Sequence, residues 1–313
     1  MKTRMRNRYR TWLCAALMLP AVAVAQYERP GSSDAQFLKI GVSARGAGMG
    51  DAFIALVDGA EAAYYNPAAL AWIPGSAVSF THTSWFAGIN HDFVAAARTF
   101  GRSGTFALSA TALYTDEMKV RTPLQPDGTG ETFYAGNYRV GLSYARYLTD
   151  RVTFGGTLNY IRMSLYSDFV GQALAADIAV LYVTHFRNFR FGMKIANFGS
   201  EVKFVHESYP LPTNFTFGLA INAIDTEAQT LALSFSAMKP NDGRPLGEVG
   251  GEWCLQNLLL LRGGYRLNHD VARYSFGTGL LVEVGGVRFR MDYAYSDFSL
   301  LGAAHRIGVN AQF

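Results

Sequence analysis

Cysteine is nearly absent: the 313 residues hold two, Cys14 and Cys254. Cys14 falls inside an N-terminal apolar stretch, so the rest of the chain keeps one thiol and can close no internal disulfide. Long hydrophobic runs are missing too. Beyond residue 25 the apolar stretches, such as 258–261, fall far short of the roughly 20 residues that a membrane-crossing helix needs. His82, His91, His185, His206, His269 and His305 stand apart, with no His-x-x-x-His pair, cysteine cluster or Asp-x-Asp-x-Asp run to hold a metal ion. They do not combine with Ser and an acid at the spacing of a hydrolase site either. The turn from Gly46 to Gly50 lacks the preceding strand and following Lys-Ser/Thr of a phosphate loop. The pattern therefore implies no enzyme, no cofactor and no metal.

What is present begins with a basic leader. Lys2, Arg4, Arg6, Arg8 and Arg10 precede an apolar run from Trp12 to Val24, and Ala23-Val24-Ala25 has the small-x-small form of a cleavage site, so residues 1–25 read as a secretory signal peptide. The leader holds five of the 28 basic residues and none of the 24 acidic ones, which leaves a net charge of −1 beyond it. The high pI belongs to the leader, and nucleic acid is not an implied partner.

Half of the chain is hydrophobic and 14% is aromatic, spread over short alternating segments. The last is the clearest. Ile307, Val309, Ala311 and Phe313 interleave with Arg306, Gly308, Asn310 and Gln312, a period of two that makes a strand with one apolar and one polar face. A strand ending on Phe313 also looks like the insertion signal of outer-membrane barrels. Closure into a barrel removes the exposed edge such a strand would leave. An apolar exterior with a polar interior is the membrane form of that closure.

Fourteen strands are expected, at 76–83, 91–100, 105–115, 137–148, 151–163, 172–184, 189–197, 213–223, 229–238, 247–255, 258–267, 273–283, 287–295 and 304–313. The fold class is thus all-β, a transmembrane antiparallel β-barrel spanning 76–313, monomeric by itself and bordered by outer-membrane lipid. Connections alternate between long and short, which puts both barrel ends on the short-turn, periplasmic side. The longest, 116–136 and 198–212, are the expected partner surfaces. Tyr144, Tyr160, Tyr182, Trp253, Tyr265 and Tyr274 fall at strand ends, as an interfacial girdle requires.

Inward positions carry charge: Arg190, Lys194, Glu248, Glu252, Arg288, Arg290 and Asp292. They suit a wet lumen, where opposite signs can pair and hold a plug. Residues 26–75 do not read as strand. Gly46, Gly48, Gly50 and Asp51, then an Asn66-Pro67 break, mark short helices separated by turns, the expected plug.

The run from Gly41 to Phe53, followed by Ala62-Ala63-Tyr64-Tyr65-Asn66-Pro67-Ala68-Ala69-Leu70, resembles the N-terminal signature of the PorV/PorQ family, whose members are related to the FadL fatty-acid transporters. The resemblance implies a FadL-like fourteen-stranded architecture with a short N-terminal plug. It also implies a noncatalytic role in type IX protein secretion or surface attachment, with secretion-system proteins or cargo C-terminal domains as partners. The alternative is a FadL-like transporter that passes hydrophobic solutes through a lateral opening near a strand kink.

Overall fold

The computed structural model describes residues 29–166, 169–204 and 206–313; the expected signal peptide lies outside them. Fourteen antiparallel strands close into one barrel. In chain order they are β1 (Ser76–Ser84), β2 (Ile89–Thr99), β3 (Thr105–Thr115), β4 (Gly136–Tyr147), β5 (Val152–Ser164), β6 (Val170–Val183) and β7 (Arg190–Gly199). Then follow β8 (Asn214–Asp225), β9 (Gln229–Pro240), β10 (Leu246–Leu255), β11 (Leu259–Leu267), β12 (Tyr274–Val284), β13 (Val287–Asp297) and β14 (Ala303–Gln312). Every expected strand is found within two residues at either end. Each strand pairs with its sequence neighbours, and β14 returns to β1 in register from Ala77↔Gln312 to Ser84↔His305. Phe313 extends that seam: its N–H reaches the carbonyl of Ser76 at 2.9 Å.

Burial alternates along the strands with the pleat, and the outward face is apolar. Leu158 is 68% exposed and Leu174 65%, in a band shared with Phe80, Val94, Leu108 and Leu142. A continuous apolar exterior of this kind cannot face water; it is a lipid-facing surface. Among the described residues no helix is long and apolar enough to cross a membrane. Tyr160, Tyr265 and Tyr274 stand at the long-loop rim, while Tyr144, Tyr182 and Trp253 stand at the short-turn rim.

The length alternation of the connections is weaker than the sequence suggests. It rests on 116–135 and 200–213, each of which carries a small hairpin of its own, Met118–Lys119 with Thr132–Phe133 and Val202–Lys203 with Ser208–Tyr209. The other connections at that end are hardly longer than the turns opposite.

Residues 30–73 occupy the barrel interior. They form 3₁₀ turns at Gln36–Lys39, Gly59–Glu61 and Pro67–Trp72 and two short helices, α1 (Ala44–Gly48) and α2 (Ala62–Tyr65). Ser43 caps α1 by accepting from the Gly46 N–H at 3.1 Å, and Asn66 caps the last turn by accepting from the Ala68 N–H at 3.2 Å, with Pro67 at its first position.

The interior is only half polar, which corrects the expectation of a uniformly wet lumen. Phe53, Leu56, Val57 and Leu70 of the plug pack in a dry cluster with inward alanines of the wall, among them Ala77, Ala95, Ala107, Ala145 and Ala179. Their small side chains leave room for a plug without leaving water. This also explains why β6 is apolar on both faces: one meets lipid and the other meets the plug.

Candidate functional site

The plug is fastened to the opposite half of the wall by charge. Arg45 forks onto Glu252 at 2.6 and 2.7 Å and reaches Asp58 at 2.7 Å. Arg262 bridges Glu252 at 2.6 Å and Asp292 at 2.8 Å. Arg290 completes the lattice, contacting Asp292 at 2.9 Å, Asp58 at 2.8 Å and Glu61 at 3.3 Å. Burial disfavours the charge on Asp58, but Arg45 and Arg290 outweigh it and hold that carboxyl well below the usual range. Glu61 differs: burial raises its carboxyl, Arg290 offsets this only in part, and its Oε1 is buried with no hydrogen-bond donor.

Two smaller groups fasten the rest. Asp177 takes Arg139 and Lys194, each at 3.2 Å, while Lys194 also donates to the Tyr64 carbonyl at 2.5 Å and Arg139 lies over the Tyr64 ring at 4.7 Å. Asp51 pairs with Arg266 and accepts from the Tyr65 hydroxyl at 3.2 Å.

Of the lumenal charges expected from sequence, Lys194, Glu252, Arg290 and Asp292 lie in these lattices. Arg190 and Arg288 line the short-turn mouth, and Glu248 faces the long-loop chamber. The reading missed Arg139, Asp177, Arg262, Arg266 and Arg306 on the wall and Arg45, Asp58 and Glu61 on the plug. One signal was available. That signal is partial: the turn spans three residues, 256–258, and sets β10 against β11 so that Glu248 opposes Arg266 and Glu252 opposes Arg262, whereas a two-residue turn at 256–257 would set Glu252 against Leu261.

Glycines of both partners let the backbones meet. Gly46 lies against Phe53 and the Tyr65 hydroxyl; Gly48 packs on Gly277; Gly50, at φ +68°, packs on Gly264 and Tyr265. A side chain on Gly155 would lie 2.4 Å from the Pro67 carbonyl carbon. Asn66 is fully buried and donates to the Ile54 carbonyl at 3.0 Å, so it ties the two halves of the plug. Asn66→Ala strands that carbonyl and removes the cap, a cost of about 1–3 kcal/mol. Hydrogen exchange is expected to speed up at 52–70 and to stay unchanged in the barrel strands.

Packing leaves a chamber on each side of the plug. The long-loop chamber, about 280 Å³, is walled by apolar Leu38, Ile40, Ile54, Trp85, Met238 and Phe298 and by charged and polar side chains that include Arg139, Lys194, Glu248, Arg266, His269 and Arg306. Arg306 is almost fully buried, donates to the Ser296 hydroxyl at 3.1 Å, has no carboxylate partner among the described residues, and lies 5.4 Å from the Trp85 ring. Burial beside Arg266 pushes His269 down to about 4, so its ring is neutral at pH 7. The short-turn chamber, about 360 Å³, is bounded by Trp72, Ile73, Leu181, Val183, Arg190 and Arg288.

The wall of the upper chamber contains a bulge. The β6–β7 register shifts between Ala176 and Ile178, and Asn197 takes φ +60°. The bulge does not leave a gap: the Asp177 carboxylate accepts from the Asn197 N–H at 2.8 Å, and pairing resumes on both sides.

Asp242, in the connection after β9, clasps the N-terminal segment over the upper mouth. Ser33 donates to it, as do Gln36 at 2.8 Å and Lys39 at 2.5 Å, while Asp34 N–H reaches the Pro210 carbonyl at 3.0 Å. Burial alone would raise the Asp242 carboxyl; the donors Lys39, Ser33 and Gln36 outweigh it and hold it below the ordinary range. A depressed carboxyl stabilises above its unfolded pKa near 4 and loses that contribution as pH falls through its folded value. Protection of residues 34–40 from limited proteolysis is expected to be constant above about pH 4 and to fail below it. Asp242→Asn should remove most of this pH dependence.

The closed antiparallel barrel of fourteen strands is FadL-like in fold. The similar solved structures include the toluene transporter TodX of Pseudomonas putida, with a TM-score of 0.58 at 12% identity over 87% of this chain and 96% of that one. The toluene transporter TbuX of Ralstonia pickettii gives 0.54 at 13% over 87% and 97%. A FadL homologue of Pseudomonas aeruginosa gives 0.54 at 10% over 87% and 98%. The superpositions show a shared fold and, at such low identity, the fold alone. No family model matches the chain, and no curated protein matches its sequence.

Proposed function

We propose that this chain is an outer-membrane channel for small hydrophobic solutes, which collect in the long-loop chamber and cross when the plug yields. The observation that carries this reading is the pair of chambers separated by a plug held to the wall largely by side-chain bonds. The upper chamber sets an apolar wall beside charged and polar groups that can orient a solute. Two of the fold neighbours are toluene transporters, and another is a FadL homologue. The filled bulge makes the plug, more than a lateral gap in the wall, the barrier that a solute must move.

Uptake of labelled toluene, naphthalene and decanoate by cells with and without the protein tests the reading. Ala272 is buried against the upper chamber. Ala272→Trp, inserted at parental levels, is expected to lower uptake of the transported compound at least ten-fold, close to the background without the protein. Equal uptake of all three compounds with and without the parent protein contradicts the proposal.

A second reading is the PorV/PorQ-type secretion or attachment subunit. The resemblance of 41–53 and 62–70 favours it, and the small hairpins of 116–135 and 200–213 give the long-loop end a shaped surface for a protein partner. Affinity capture that returns a secretion barrel or cargo C-terminal domains, with no solute phenotype on deletion, supports this reading over the first.

A further inference from the structure

Among the described residues, the lipid-facing strands have one charged side chain at the long-loop rim without a protein partner. Asp92 there is held by His82 at 2.6 Å and Tyr114 at 2.9 Å, Lys239 donates to the Gly243 carbonyl at 2.6 Å, and His305 bonds Tyr293 at 2.8 Å. Arg162 of β5 faces outwards on the same rim and has no ion pair or hydrogen bond among the described residues. An unpaired guanidinium bordering hydrocarbon is costly unless a partner comes from the membrane itself.

The surroundings of Arg162 form a shallow groove of about 500 Å³, lined by Tyr134, Tyr138, Tyr160 and Ser164 with Gly136 and Val140 as its floor. Gly136 lets the Tyr138 ring lie along the strand, since a side chain there would come within 2.6 Å of the Tyr138 hydroxyl. The connection 116–135 borders the groove through Tyr134 and is steadied by Phe133 packed edge-to-face on Tyr166 at 5.0 Å. Below, the groove runs into an exposed apolar strip of Leu142, Leu158 and Leu174. Register makes this one continuous surface, with Tyr138 beside Arg162, Val140 beside Tyr160 and Leu142 beside Leu158.

We infer that this groove binds a phosphorylated lipid of the leaflet that borders the long loops. The phosphate meets the Arg162 fork and the flanking phenol hydroxyls, and an acyl chain lies on the leucine strip. Charge complementarity selects the occupant: phosphate is the anionic group that lies at this depth beside acyl chains, and a guanidinium matches it in two-pronged fashion.

Native mass spectrometry in dodecyl maltoside tests the site, with diphosphoryl lipid A and the same lipid after removal of its phosphates as probes. The parent protein is expected to bind the phosphorylated form about ten-fold more tightly, the effect of one charge-assisted contact. Arg162→Gln should abolish that preference and Tyr160→Phe should reduce it. Arg146→Gln, outward at the opposite rim of β4, should leave it intact. All three positions are exposed, and heat-modified gel mobility confirms folding. A parent that binds both lipids equally, or a preference that survives Arg162→Gln at full size, overturns the assignment.

Discussion

Arg290→Met is expected to turn a nearly silent barrel into a conducting one. In planar bilayers the parent protein should show little or no steady current, because the plug fills the lumen between the two chambers, whereas the variant should show a persistent ohmic step. The reason is local charge balance. Arg290 contacts three carboxylates, at 2.8 Å for Asp58, 3.3 Å for Glu61 and 2.9 Å for Asp292. Asp58 keeps Arg45 and Asp292 keeps Arg262, but Glu61 is fully buried and loses its one cation. Breaking a buried pair from one side costs about 3–5 kcal/mol, chiefly by stranding the other charge. That cost falls on the turn Gly59–Glu61, which leads into the rest of the plug, while the barrel ladder is untouched. Replacing both partners, as Arg290→Met with Glu61→Leu, removes the stranded charge and should return the barrel toward silence. A single variant as quiet as the parent shows that the lattice does not hold the plug.

Gly264→Val should dislodge the plug from a different direction, and its chain neighbour supplies the control. A side chain on Gly264 points inward and would lie 2.1 Å from both the Gly50 nitrogen and the Met49 carbonyl carbon, backbone atoms that cannot turn aside. Gly263 points outward with nothing within 4 Å, so Gly263→Val adds only lipid-facing surface. Overpacking of this kind costs typically about 1–3 kcal/mol and more where backbone must move. Amide exchange in 44–57 should accelerate ten- to a hundred-fold in Gly264→Val, and exchange in Gly263→Val should match the parent. Equal protection in both variants would mean that the plug does not seat on this strand.

The barrel was legible because lipid imposes a rule on every residue of a strand: alternate positions must be apolar, and closure must satisfy every backbone group. Runs such as Phe215, Phe217, Leu219 and Ile221 announce that rule from local sequence alone. The plug was legible only as a segment that breaks it. Its wall contacts are long-range and use residues that say little locally. Inward alanines such as Ala95 and Ala179 look neutral in sequence, yet they make the dry half of the lumen. Asp177 sits in a strand that reads as apolar on both faces, and its role becomes visible only with Arg139, Lys194 and the bulge at Asn197 brought together. The strand glycines suggest crowding and bending from composition; in the folded chain Gly155, Gly250 and Gly264 are seats for plug backbone. Even the Glu252–Arg262 pair depends on one residue of register: the turn has three residues, 256–258, and the two-residue turn that the sequence suggests would set Glu252 against Leu261.

The most direct measurement is to lock the plug and ask whether transport stops. A side chain on Gly308 of β14 would place its Cβ 3.3 Å from the Cβ of Ala44, close to the separation a disulfide requires. In a Cys254→Ser background, Ala44→Cys with Gly308→Cys can be oxidised in whole cells and its cross-link quantified by mass spectrometry. Solute uptake is expected to fall to background when the cross-link is complete and to recover on reduction. Uptake that persists at the parental rate through a fully cross-linked population contradicts a plug that must yield.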